Sequence, residues 1–214
     1  MKSVIFYIFF LTAILSCDKK NGEEAVAPGP CTKTGSADVP VKVGDKAYGG
    51  VVFYVEANGI HGMVMPKPEL LSGYSASWWP RLAPYLTPGK FDLPTETAIG
   101  SGQANTKKLL GTSTTPYIAG ICDDLKIDDC YDDWYLPSRD ELLEIYKNLG
   151  KLPGVDRSKT YFSSNVVDKA NAGILIVNVA VSFSTGTVGE VYLTDPQLYT
   201  RFEQPFWFIP VRSF

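Results

Sequence analysis

Between Leu136 and Gly150 the chain has one good local solution. Ser138 is followed three positions later by Glu141, and Leu142, Ile145, Tyr146 and Leu149 then recur at i, i+3, i+4 and i+7. A serine oxygen at the first position can accept from the N–H of Glu141, while the glutamate reaches back to the serine N–H. Together they satisfy two of the donors that a helix start leaves open. The spacing predicts a helix with one apolar face turned inward, Glu144 and Lys147 turned out, and Gly150 as its stop. A second helix is expected over Gln103 to Leu110.

On both sides of this helical middle the pattern is β. Gly49-Gly50 precedes Val51–Val55, Asn58-Gly59 can take the positive φ angles of a tight turn, and Gly62–Met65 returns as a hairpin. Tyr161–Ser164 reads as a short strand, and Ile174–Phe183 as a long β-branched run closed by Ser184-Thr185-Gly186. Val188–Leu193 and Phe206–Val211 complete the sheet, with Pro205 and Pro210 placing the last strand at an edge or across a bulge. Strands around a helical centre give an α+β class, expected as twisted antiparallel sheets with two helices.

The first residues set the compartment. Val4 to Leu15 is apolar apart from Thr12 and ends at Ser16-Cys17. A spanning helix needs about 20 apolar residues, so this stretch reads as a signal peptide over residues 1–16. Ile14-Leu15-Ser16-Cys17 resembles the bacterial lipobox, in which the cysteine is acylated before cleavage. Cys17 is therefore the expected lipidation site, with palmitate-type chains holding the mature chain on a membrane. Residues 17–47 are polar and contain Pro28-Gly29-Pro30, which reads as a tether. The folded domain is expected over 48–214, about 165 residues and enough for one core. The expected location is the outer membrane, lipid-anchored, on the cell surface or the periplasmic face. A net charge of −3 gives no basic footprint for nucleic acid.

Six separated blocks carry a family likeness. They are Gly49–Val55, His61–Val64, Thr97–Thr106, Asp133–Leu142, Tyr161–Ser164 and Pro210–Phe214. In sequence and order they resemble the bacterial domain named after the C-terminal domain of the Legionella collagen-like protein, a domain of unknown function. The resemblance implies a C-type-lectin-like fold and roles in adhesion or recognition at the cell surface. It implies no catalytic residues. Phe162 stands where tryptophan is common in that family, and Cys130 lies in a segment that usually lacks cysteine.

Candidate sites are few. His61 is the sole histidine, which excludes paired-histidine zinc chemistry, and its place between Gly59 and Gly62 makes it a turn residue. Residues 122–133 gather six aspartates around Lys126. Asp123, Asp124, Asp128 and Asp129 are weak candidates for calcium, because their spacing departs from an EF-hand loop and equally suits a solvated acidic loop. No other cofactor is implied. The calcium-lectin motifs Glu-Pro-Asn and Trp-Asn-Asp do not occur.

Tyr74, Trp78 and Trp79, with Tyr85 nearby, lie in a Pro/Gly/Ser-rich stretch. Sugars stack their C–H faces on aromatic rings, so these residues form the candidate ligand platform. At least one of the tryptophans is expected in the core. In an oxidising compartment Cys122 and Cys130, which bracket the acidic loop, are expected to form a disulfide that leaves Cys31 free or pairing between molecules.

Three function classes follow. The first is a non-enzymatic surface binding module that recognises a glycan or a surface protein. The alternatives are an enzyme on a related scaffold and a structural component of a surface assembly.

Overall fold

The computed structural model describes residues 40–73, 75–76, 96–112, 118–169, 174–192 and 206–214. These residues form an α+β structure with three α-helices and two sheets. In chain order the strands are β1 (Lys46–Ala47), β2 (Gly50–Val55), β3 (Gly62–Met65), β4 (Ser75–Ala76), β5 (Thr160–Lys169), β6 (Ile174–Ser182), β7 (Val188–Tyr192), β8 (Phe206–Trp207) and β9 (Arg212–Ser213). The first sheet runs β1-β2-β3-β9 and the second β4-β8-β5-β6-β7. All neighbours are antiparallel except β5 and β8.

The expected hairpin is present as β2–β3. Asn58 Oδ1 accepts from Ile60 N at 3.0 Å, Gly59 has φ 72°, and Glu56 N donates to His61 O at 2.8 Å. Gly50 is required by close approach, since a Cβ there would stand 2.1 Å from Met65 O.

Strands β2 and β6 are covered on both faces. In β2, Val51 and Phe53 face a central cluster with Leu142, Ile145, Val181 and Phe183, whereas Val52 faces an outer cluster with Trp134 and Phe214. In β6, Val181 belongs to the central cluster and Ala180 to a third one, beneath the first two helices. The side-chain period of two therefore delivers apolar residues to both sides, which is why these strands read as continuous apolar runs.

The helices are α1 (Gly102–Thr112), α2 (Ile118–Asp123) and α3 (Arg139–Leu149). The capping box predicted for α3 is complete: Ser138 Oγ accepts from Glu141 N at 3.3 Å, and Glu141 Oε2 accepts from Ser138 N at 2.8 Å. Leu142, Ile145 and Leu149 are buried, and Lys147 Nζ meets Glu144 Oε1 at 2.7 Å.

Two expectations are corrected. The helices number three rather than two, because six residues are too few for α2 to show a period. The final segment is not one strand over Phe206–Val211. It pairs as β8 inside the second sheet, then crosses and pairs as β9 on the first. Pro210 sits at the crossing, where it has no N–H to give to a ladder.

Candidate binding surface

Segments distant in sequence meet one another through polar side chains in the interior. The Glu141 side chain is fully buried. Beyond Ser138 N, its Oε1 accepts from Gly100 N at 2.8 Å and Gly102 N at 3.3 Å. One carboxylate thus clamps the 100–102 turn to the start of α3. Gly102 leaves room for it, since a Cβ there would lie 2.3 Å from Glu141 Oε2. Burial raises the Glu141 pKa above the ordinary carboxylate range, and the three backbone donors partly oppose that shift.

Around this clamp Ser138 Oγ donates to Ala98 O at 2.9 Å, and Asp140 N donates to Thr97 O at 3.1 Å. Asn105 Nδ2 donates to Glu96 O at 2.7 Å and to Ser164 Oγ at 3.1 Å. Asn165 also donates to Glu96 O through its side-chain amide and accepts from Arg139 N at 2.6 Å. Thr106 Oγ1 accepts from Leu136 N at 3.0 Å.

A second junction holds the chain end. Arg212 is fully buried, donating through Nε and Nη2 to the Asp133 carboxylate at 2.5 and 3.0 Å and through Nη1 to Tyr48 O at 3.0 Å. Its guanidinium carbon lies 4.9 Å from the centroid of the Tyr131 ring, and Phe214 stacks on Tyr48 at 4.2 Å. Gly49 lies against the same ring, where a Cβ would approach Tyr131 to 2.3 Å. Tyr135 Oη shares a 2.9 Å hydrogen bond with Ser213 Oγ, and burial raises its phenol pKa well above the ordinary value. The residues at these two junctions tie segments together in the interior.

The proposed ligand residues Tyr74, Trp78 and Trp79 lie outside the described residues, as do Cys17 and Cys31. The strand between Tyr74 and Trp78 is described. It is β4, which pairs with β8 in the register Ser75↔Trp207 and Ala76↔Phe206. Trp207 is half-buried and also aligns with Tyr161 of β5. Lys159 Nζ stands 4.6 Å from the Trp207 ring centroid and 3.8 Å from Asp156 Oδ2. Cation and indole are thus in attractive contact on a half-exposed surface.

Trp207 therefore lies in the β4–β8 strand pair, while Trp134 is buried in the outer cluster. The sequence reading missed Trp207 because it assigned Phe206–Val211 to a single strand.

The four weak calcium candidates are exposed, and Asp128 and Asp129 both have φ 54° in a turn closed by the Ile127–Tyr131 bridge. Among the described residues, no three His, Cys, Asp or Glu side chains gather as a metal site. His61 lies exposed in the turn, as expected.

The Cys122–Cys130 disulfide is overturned. Cys122 is a free thiol, buried on α2 in the cluster with Leu109, Ile118 and Phe162, whereas Cys130 is disulfide-bonded to another residue. Cys122 is directed into that apolar cluster, away from the acidic loop. Burial first, and the Asp123 charge second, raise its thiol pKa.

No protein-family model and no curated protein matches this chain.

Proposed function

We propose that the chain is a lipid-anchored, non-enzymatic binding module of the bacterial envelope, C-type-lectin-like in fold, that recognises a glycan for adhesion. Cys17 carries the acyl anchor, in the outer membrane. The ligand residues are Tyr74, Trp78 and Trp79, together with Trp207 of β8.

The observation that supports this reading is the Ser75↔Trp207 register, which sets the half-buried Trp207 beside β4, the strand between Tyr74 and Trp78 in the sequence. Aromatic rings offer a sugar large contact area at little entropy cost, and a nearby cation such as Lys159 can hydrogen-bond hydroxyls or pair with acidic sugars. The polar residues at the Glu141 and Arg212 junctions are engaged with one another, which suits a scaffold that presents its aromatic surface elsewhere.

A glycan array probed with the full chain in detergent, with and without a chelator, tests the proposal. Retention of a discrete glycan set supports it, with the chelator arm deciding whether calcium takes part. Uniform background across the array overturns it.

A further inference from the structure

The turn that leads into β5 sets two cations over two half-buried aromatic rings. Arg157 Cζ lies 5.6 Å from the centroid of the Tyr146 ring, and Lys159 Nζ lies 4.6 Å from that of Trp207. Both rings border one buried pair. Tyr146 and Tyr161 pack on Phe183 at 5.6 and 4.4 Å between centroids, and Trp207 aligns with Tyr161. We propose that Arg157 and Lys159 form an anion subsite beside Trp207, so that the glycan recognised carries a monoanionic group, a carboxylate or a sulfate ester. The inference rests on the glycan reading above and names its substrate class.

Hydrogen bonds fix the turn against the end of β6. Phe183 N donates to Lys159 O at 2.9 Å, Lys159 N to Asp156 O at 3.2 Å, and Tyr161 Oη to the same Asp156 O at 3.1 Å. Arg157 Nε donates to Phe183 O at 3.4 Å, so its guanidinium is tethered on one edge and stacked on one face. Arg157 is exposed, and among the described residues its two Nη groups have no hydrogen-bond partner. A planar fork with two open amino groups matches the paired oxygens of a carboxylate or sulfate. Holding it in place beforehand lowers the entropy cost of binding.

Local charge sets the valence. Asp156 Oδ1 accepts from Ser158 N at 2.8 Å and from Ser158 Oγ at 2.7 Å, while Oδ2 lies 3.8 Å from Lys159 Nζ. The Ser158 bonds first, and the Lys159 charge after them, hold the Asp156 carboxyl below its ordinary pKa, so it is ionised at neutral pH. Two cations against this one carboxylate leave a single positive charge for a ligand, which suits a monoanion and disfavours a dianion.

The test is an array in which each acidic glycan is printed beside its methyl ester or desulfated counterpart, with neutral and phosphorylated glycans alongside, probed with the full chain in detergent. The expected result is retention of carboxylate- or sulfate-bearing glycans, weakened roughly tenfold or more by esterification or desulfation. Arg157→Gln is expected to lose a similar factor at a nearly unchanged Tm, because the residue is exposed. Arg157→Lys should recover only part of it, since an ammonium keeps the charge and not the fork. Lys107→Gln removes one exposed charge from α1, which packs on the opposite face of β6, and is expected to leave retention unchanged. Retention of neutral or phosphorylated glycans alone, an Arg157→Gln that binds like wild type, or an equal loss in Lys107→Gln overturns this inference and leaves the glycan reading standing. An array with no retained glycan overturns both.

Discussion

Replacing Glu141 by Gln changes one atom type at the centre of the first junction. The carboxylate accepts three backbone N–H groups, one at Oε2 and two at Oε1. An amide has one acceptor oxygen. If it serves Gly100 and Gly102, its NH2 faces the Ser138 N–H, donor against donor; if it turns round, two glycine donors are orphaned. Hydrogen bonds to a charged group are worth about 1.5–3 kcal/mol each, and a buried unsatisfied donor costs about 1–3 kcal/mol. Relief of the buried charge offsets part of this. Glu141→Gln should therefore destabilise the domain by about 2–3 kcal/mol at neutral pH, a fall in Tm of about 4–12 °C for a domain of this size.

The pH dependence has a definite sign. Burial raises the folded-state pKa of Glu141 above its unfolded value, so the folded state holds this proton more tightly. The resulting stabilisation is fully present below the unfolded pKa and is lost as pH rises through the folded one. Differential scanning calorimetry across that window should show the wild type losing stability with rising pH and a flatter profile for Glu141→Gln. A variant that melts within about 1 °C of wild type at neutral pH would refute the clamp.

Further outcomes follow from the same structure. Asp133→Asn removes the charge facing the fully buried Arg212 but keeps one acceptor, and because Asp133 is 39% exposed chemical denaturation should show a loss of about 1–2 kcal/mol; unchanged stability would contradict the second junction. Asn178 is buried with neither side-chain amide atom hydrogen-bonded, beside Val166 and Val191 on the neighbouring strands. Asn178→Val should therefore raise stability by about 1 kcal/mol in the same assay, and a clear loss would reveal a partner for that amide. Cys17→Ala should abolish acyl labelling and release the chain from membranes, and a labelled, membrane-bound variant would end the lipid-anchor proposal.

The legible parts of the fold were those written in local chemistry. The Ser138–Glu141 box and the Leu142–Leu149 spacing fix a helix without tertiary help, and Asn58-Gly59 does the same for the hairpin. The α2 helix was not legible by period, although Ile118, Ala119 and Cys122 at i, i+1 and i+4 already trace one buried face. Recognising that face would have pointed the Cys122 thiol into the core and away from Cys130. Like-charge repulsion in the acidic loop was the wrong guide, because its aspartates are solvated. The division of the last segment between two sheets depends on long-range pairing, and only Pro210 hinted at it. The same pairing set Trp207 beside Ser75 of β4, a proximity that spacing along the chain cannot express.

The ligand surface is tested most directly by measuring glycan affinity and Tm together for Trp207→Ala and for the Trp78→Ala/Trp79→Ala double variant. Stacking contacts worth about 1–2 kcal/mol make the account predict a loss of affinity of roughly tenfold or more in each. For Trp207→Ala the Tm should change little, because the ring is already half-exposed. Unchanged affinity in Trp207→Ala with a stable fold would contradict the claim that the β4–β8 pair forms the binding surface.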